Sequence, residues 1–172
     1  MSAVVPLASI PVGVVIERSK SASQWADFHW RAAGVLAGVP DAPAWTKLSD
    51  DGERAIFYAG AAQIELYRTE TANYRDNLRL ETPLVWIILR PVEGDPPYEL
   101  ASVTADPAEG EAMTETGTNL VEAVVMPKPM QETIAAFVAE HHVEQVFVKR
   151  KRDRANPEAL ARRGPLIRED RK

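Results

Sequence analysis

The amino-acid sequence predicts an α+β fold that is mostly β: an antiparallel barrel or sandwich of about seven strands, with a C-terminal helix packed on it and a basic tail. Three observations predict it. Seven short runs of β-forming residues are punctuated by Gly, Pro and Asp, with no helices regularly interleaved. An amphipathic stretch follows them toward the C-terminus. The charge then reverses. Residues 149–172 hold 10 Lys/Arg against 4 Asp/Glu, while the whole chain of 172 residues holds 20 against 25, which leaves 10 against 21 for the first 148. An acidic body with a basic tail is the pattern of a folded domain carrying an interaction arm. The expected organisation is a loose leader over residues 1–11, a single β-rich domain over 12–148 and a basic arm over 149–172.

The leader carries no charge before Glu17, and its first basic side chain is Arg18. A secretory signal has the opposite order, with basic residues ahead of the apolar stretch. Pro6, Pro11 and Gly13 interrupt the run well short of the roughly 20 apolar residues that cross a bilayer. A soluble cytoplasmic protein is expected. The absence of cysteine excludes disulfides, thiolate metal ligation and a thiol nucleophile.

The first strand opens at Val12, Val14, Val15 and Ile16, and the second is Phe28 to Leu36. Gly38 to Pro43 is a loop, because two prolines prevent regular pairing. Asp50-Asp51-Gly52 is a turn that introduces a strand at Arg54 to Tyr58, and Gly60 divides it from another at Ala61 to Tyr67. Thr71 to Arg79 reads as a short helix or an irregular loop. Leu84 to Leu89 is nearly continuous in apolar residues and should be the most buried strand. Glu93 to Pro97 turns the chain into Tyr98 to Thr104, and Leu120 to Val125 is the last strand. One helix starts at an Asp106 cap with Pro107 in its first turn and Glu109 at capping-box spacing, and ends near Gly117. The other spans about Pro129 to His142, with Met130, Ile134, Phe137, Val138 and His141 on one stripe.

No motif for catalysis stands out, and the sequence predicts no catalytic residue, no cofactor and no tightly held metal. His141 and His142 are neighbours, which diverge by about 100° on a helix and grip one ion badly. One should pack near the helix end and the other should be solvated. Asp106, Glu109, Glu111 and Glu115 lack the spacing of a Ca²⁺ loop and read as caps and a solvated face. No serine sits in Gly-x-Ser-x-Gly, and no glycine-rich phosphate loop occurs. The best ligand-site candidate on the body is the polar cluster around Arg75 and Asp76, with Arg68 close in sequence; an arginine there suits a carboxylate or phosphate. Among four tryptophans, Trp86 belongs in the core by pattern, while Trp25 and Trp30 are candidates for the rim of a partner interface, with core packing expected for at least one of them. Lys149, Arg150, Lys151, Arg152 and Arg154 are the candidate contacts of the arm. Its lack of interleaved aromatics and the acidic body argue against nucleic acid, and a membrane partner is not expected either.

Several segments together resemble a known family: Val14-Val15-Ile16-Glu17-Arg18-Ser19-Lys20-Ser21, Phe57-Tyr58-Ala59-Gly60-Ala61-Ala62, Tyr67-Arg68-Thr69-Glu70-Thr71, Tyr74-Arg75-Asp76-Asn77-Leu78, Val103 through Glu111, and Phe137 to His142 with Phe147 to Arg154. From about Val12 to Arg163 the chain resembles an uncharacterised proteobacterial family of unknown function. The resemblance implies a genomic setting beside genes of molybdenum-dependent formate dehydrogenase. It also implies, for some members, the label molybdopterin-guanine dinucleotide biosynthesis protein A. That label implies a nucleotidyltransferase with a glycine-rich start, and this chain has neither such a loop nor βαβ alternation.

The expected function is that of a non-enzymatic accessory factor for formate dehydrogenase maturation or assembly, acting through a protein partner. Its rivals are a binder of a nucleotide or pterin phosphate within the barrel, an enzyme built on a buried carboxylate pair, and a small subunit of the dehydrogenase complex.

Overall fold

The computed structural model describes residues 3–115 and 117–144. Seven strands form two antiparallel sheets that face each other without closing into a barrel, so the architecture is sandwich-like. The strands are β1 (Ala8–Lys20), β2 (Phe28–Leu36), β3 (Thr46–Asp50), β4 (Arg54–Leu66), β5 (Leu84–Pro91), β6 (Tyr98–Thr104) and β7 (Leu120–Val125). The first sheet has the order β2-β1-β4-β3 and the second β6-β5-β7. Helices α1 (Thr71–Leu78), α2 (Pro107–Glu115) and α3 (Lys128–His141) complete the fold, with a 3-10 turn at Arg68–Glu70 ahead of α1.

The strand number matches the expectation, but the membership differs. The runs on either side of Gly60 are one strand. Gly60 has a φ of 132° and faces Val14 beside a register shift in the β1–β4 ladder, so it makes a bulge and not a break. The missing seventh strand is β3, whose sequence Thr-Lys-Leu-Ser-Asp has little apolar character; it is an exposed edge held by its pairing with β4. β1 also starts at Ala8, inside the expected leader. Pro11 is tolerated there because β2 pairs with β1 only from Gly13 onward, which leaves the start of β1 at an edge.

The core lies between the sheets. Alternate residues Val12, Val14 and Ile16 of β1 meet Ile64 and Leu66 of β4 and Val85, Ile87 and Leu89 of β5, all at most 1 % exposed. Met130, Ile134, Phe137 and Val138 of α3 join the same core as one helical stripe, and α3 packs on α1. α2 covers the other side of β5, where Trp86 lies under Gly110. Thr71 to Leu78 is therefore a helix, and the reading of an irregular loop is set aside.

Asn77 of α1 is the polar centre of the body. It is 1 % exposed and makes three hydrogen bonds: Nδ2 donates to Leu84 O (2.8 Å) and Ala105 O (2.9 Å), and Oδ1 accepts from Leu84 N (3.0 Å). The neighbouring Tyr74 is buried, accepts from Tyr67 N at 3.0 Å, and has its phenol pushed up to about 12 by that burial. Asp106 caps α2 as expected, accepting from Ala108 N at 2.9 Å. The capping box is relayed: Thr104 Oγ1 donates to Glu109 (2.6 Å) and accepts from Asp106 N (3.1 Å).

Candidate functional site

Where β1, β2 and β4 approach the β1–β2 turn, one face of the first sheet carries an unusual constellation. The inward phase of β1 runs Val12, Val14, Ile16 and then Arg18. The Arg18 guanidinium lies 4.3 Å from the Phe28 ring centroid, 5.2 Å from Phe57 and 5.8 Å from Trp30. These distances are within the range of cation–π attraction. Beneath them the rings continue: Trp30 contacts Trp45 edge-on at 6.0 Å, Phe57 at 5.8 Å and Tyr98 at 6.2 Å. Trp45 takes a left-handed backbone with φ of 64°, which is strained for a bulky residue. That strain places its indole against Trp30 and Phe57.

The rim of this constellation is open. Trp25 on the β1–β2 turn is 93 % exposed, and Phe28 is 41 % exposed. Leu48 of β3 is also exposed. On the opposite face of the same sheet Glu17 is buried beneath two arginines, Arg31 at 2.8 Å and Arg54 at 3.5 Å. Two neighbouring arginine positions in β1 and β2 thus have opposite fates: Arg31 is matched to an acid, and Arg18 rests on rings.

Asp50 and Asp51 line the adjoining β3–β4 turn. Asp50 is held below the usual carboxylate range by the Lys47 ammonium at 2.9 Å and by Gly52 N at 3.0 Å. Asp51 is lowered by the backbone N–H groups of Arg54 and Glu53.

The two sheets also meet edge to edge at two seams. At one, Glu122 of β7 accepts from Ala32 N of β2 at 2.5 Å, where the β1–β2 register shifts. At the other, β4 and β6 flank a cavity of about 320 Å³ lined by Gln63, Glu65, Tyr67, Ser102, Thr104 and Glu109 among others. Tyr67 donates its hydroxyl to Glu65, which raises the tyrosine's pKa. This cleft is polar and acidic, and its two carboxylates are bonded within it, Glu65 to Tyr67 and Glu109 to Thr104.

The sequence-predicted residues are placed as follows. Trp25 is exposed on the β1–β2 turn. Trp30 is only 9 % exposed and forms the floor, so it cannot be a rim aromatic; it lies on the inward phase of β2 opposite Arg18. Arg68 is exposed in the 3-10 turn, and Asp76 is exposed on α1, with Arg75 Nε 3.9 Å from it. Arg75 turns its guanidinium to His142, donating to Nε2 at 2.9 Å. His142 Nδ1 in turn meets Thr71 Oγ1 at 3.0 Å. An arginine donating to Nε2 requires the neutral ring with its proton on Nδ1. Neither histidine is fully solvated: His142 is tied to α1, and His141 packs on Phe137 at 4.6 Å. Lys149, Arg150, Lys151, Arg152 and Arg154 lie outside the described residues. Among the described residues no group of three or more His, Asp or Glu is placed to hold a metal ion, and no helix is long and apolar enough to cross a membrane.

Sequence reasoning missed Arg18, Phe28, Phe57 and Trp45. The signal available was phase, since Arg18 continues the alternation of Val12, Val14 and Ile16 and therefore points inward.

Residues 11–151 match the family described as a protein of unknown function, DUF3305. The chain belongs to the DUF3305 family. The match includes the whole Arg18 constellation and ends within the basic run, at Lys151. No curated protein and no solved structure matches the chain.

Proposed function

We propose that this DUF3305 protein works by binding another protein, as an accessory factor in the assembly or maturation of a molybdenum-dependent formate dehydrogenase. The observation that carries the binding part is a pair of exposed aromatics, Trp25 on the β1–β2 turn and Phe28 at the start of β2, next in the chain to the ring cluster of Trp30, Trp45 and Phe57. Trp, Tyr and Arg dominate the energetic centres of protein interfaces, and a large indole left in water is costly unless used. The basic residues Lys149 to Arg154 supply a second contact for an acidic partner surface. The formate dehydrogenase part follows from the family resemblance and its genomic setting.

The interior of the sandwich is filled by the core residues of β1, β4 and β5. This favours a surface function over a nucleotide or pterin held between the sheets. The test is affinity purification of the full chain from its native host, with mass spectrometry of what co-elutes. A formate dehydrogenase subunit is expected with the native chain and should be depleted by Trp25→Ala. Its absence from the native eluate refutes the assignment.

A further inference from the structure

We infer that Arg18 is a carboxylate anchor: its guanidinium, held over the rings of Phe28, Phe57 and Trp30, receives a lone Asp or Glu side chain from a partner protein. The inference rests on the partner-binding reading and gives it a ligand chemistry.

The first support is the pairing pattern. Arg31 and Arg54 share Glu17, Lys20 pairs with Glu53, Lys47 with Asp50 and Arg90 with Glu99. Arg18 and Arg75 are the half-buried basic side chains among the described residues. Arg75 has His142 and Asp76. The Arg18 side chain makes no hydrogen bond and no ion pair to any described residue, although the first 148 residues hold 21 acids to 10 bases. Asp50 is near enough to feel its charge, but the Asp50 oxygens are taken by Lys47 and Gly52.

The second support is geometry. Rings beneath a guanidinium use its π face and leave its N–H edge for other acceptors. With the guanidinium already over Phe28 and Phe57, less side-chain freedom remains to be lost when a carboxylate arrives. The planar fork then donates two parallel N–H bonds to it. The strained Trp45 fits this reading, since strain persists where the surroundings over-determine a position, as at binding sites.

The third support is the sign of the surroundings. Asp27, Asp50, Asp51 and Glu53 border the site in the adjoining turns. A broad anionic surface such as a membrane would meet their repulsion. A single carboxylate entering beside Trp25 and Phe28 would not.

The test uses the full chain labelled with ¹⁵N, titrated with a capped Gly-Gly-Asp-Gly-Gly peptide and, separately, with inorganic phosphate and phosphatidylglycerol vesicles. The expected result is a saturable shift of the Arg18 Nε–H resonance with the single-aspartate peptide. Arg18→Lys keeps the charge and loses the fork, and should weaken this binding by about tenfold. Arg18→Met keeps an apolar side chain on the rings and should abolish it. If Arg18→Met does not fold, the Lys variant and the native Nε–H shift decide. The proposal is overturned if the peptide does not move the Arg18 resonance or if Arg18→Lys binds as the native chain does. It also falls if phosphate binds as tightly as the peptide, or if the vesicles bind more tightly. The two readings fail separately. Binding of the single-aspartate peptide persists if the partner is not a formate dehydrogenase subunit. Capture of that subunit is unchanged in Arg18→Lys if the anchor is wrong.

Discussion

Gly110 of α2 lies directly on the indole of Trp86: a Cβ at Gly110 would stand 2.4 Å from Trp86 Cγ and 2.5 Å from Cδ1. No real Cβ approaches a ring atom so closely, so a side chain at 110 must push the helix off the strand or the indole out of its place. This contact sets how closely α2 covers β5. Two effects compete in Gly110→Ala. Helix propensity favours alanine by about 1 kcal/mol. Overpacking costs about 1–3 kcal/mol, and here the obstacle is a ring fixed between strand and helix. The clash should win. Urea denaturation should show a lower midpoint with an unchanged slope. A midpoint equal to or above that of the native chain would show that α2 lifts away freely.

Asn77 should be one of the most sensitive polar positions in the body. Asn77→Leu preserves volume but leaves Leu84 O, Ala105 O and Leu84 N without their partner. Each orphaned buried group costs about 1–3 kcal/mol, and whole domains are stable by only about 5–15 kcal/mol. A loss of several kcal/mol is expected, measured by chemical denaturation. Asn77→Asp should also destabilise, because a carboxylate cannot donate to the two carbonyls. A change below about 1 kcal/mol for Asn77→Leu would mean that water replaces the amide.

The β3–β4 turn should contribute acid sensitivity. Asp50 and Asp51 both have lowered pKa values in the folded chain, from hydrogen bonds donated by Lys47 and by backbone N–H groups. A lowered folded value means that the unfolded chain binds protons first as pH falls. Their contribution is therefore present above the ordinary value of 3.8 and is lost as pH falls through the folded value. Asp51→Asn should lower the melting temperature at pH 7 and converge with the native chain at pH 2. Parallel curves across that range would remove the turn from the account.

The elements most legible in the sequence were those whose own residues repeat with the right period or carry a cap. The α3 stripe of Met130, Ile134, Phe137 and Val138, the Asp106 cap and the apolar β5 are of this kind. Less legible were features decided by a partner far along the chain. β3 has almost no intrinsic strand character and exists because β4 offers it an edge. Gly60 looks like a break, yet in the pairing of β4 with β1 it is a bulge. Asn77 reads as a polar loop residue until Leu84 and Ala105 surround it. Arg18 lay between these cases. Its inward phase was readable, but the rings that surround or underlie it come from β2, β4, β6 and the residue before β3. Phe28 to Leu36 alone leaves Trp30 open between core and interface rim, because no period in it says which face is covered.

The basic run and the Trp25 rim are proposed to act on one partner, and their contributions should be separable by salt. Exposed charge contacts weaken as the Debye length falls from about 10 Å at 0.1 M to about 3 Å at 1 M. Burial of Trp25 and Phe28 depends far less on ionic strength, because it removes apolar surface from water. Replacing Lys149, Arg150, Lys151 and Arg152 with Ser should therefore reduce partner capture at 0.1 M and leave what remains nearly independent of salt. Trp25→Ala should reduce capture at both salt concentrations. Neither set should move the melting temperature much, since Trp25 is 93 % exposed and a docking arm contributes to partner contact and not to the fold. The measurement is a pull-down of the co-purifying partner at 0.1 M and 1 M salt, beside thermal melts of each variant. Capture that survives all the basic replacements and stays salt-insensitive would place the contact on the Arg18 and Trp25 face alone. Capture lost in the serine variant together with a large drop in melting temperature would make residues 149–152 part of the fold's stability and remove the docking-arm reading.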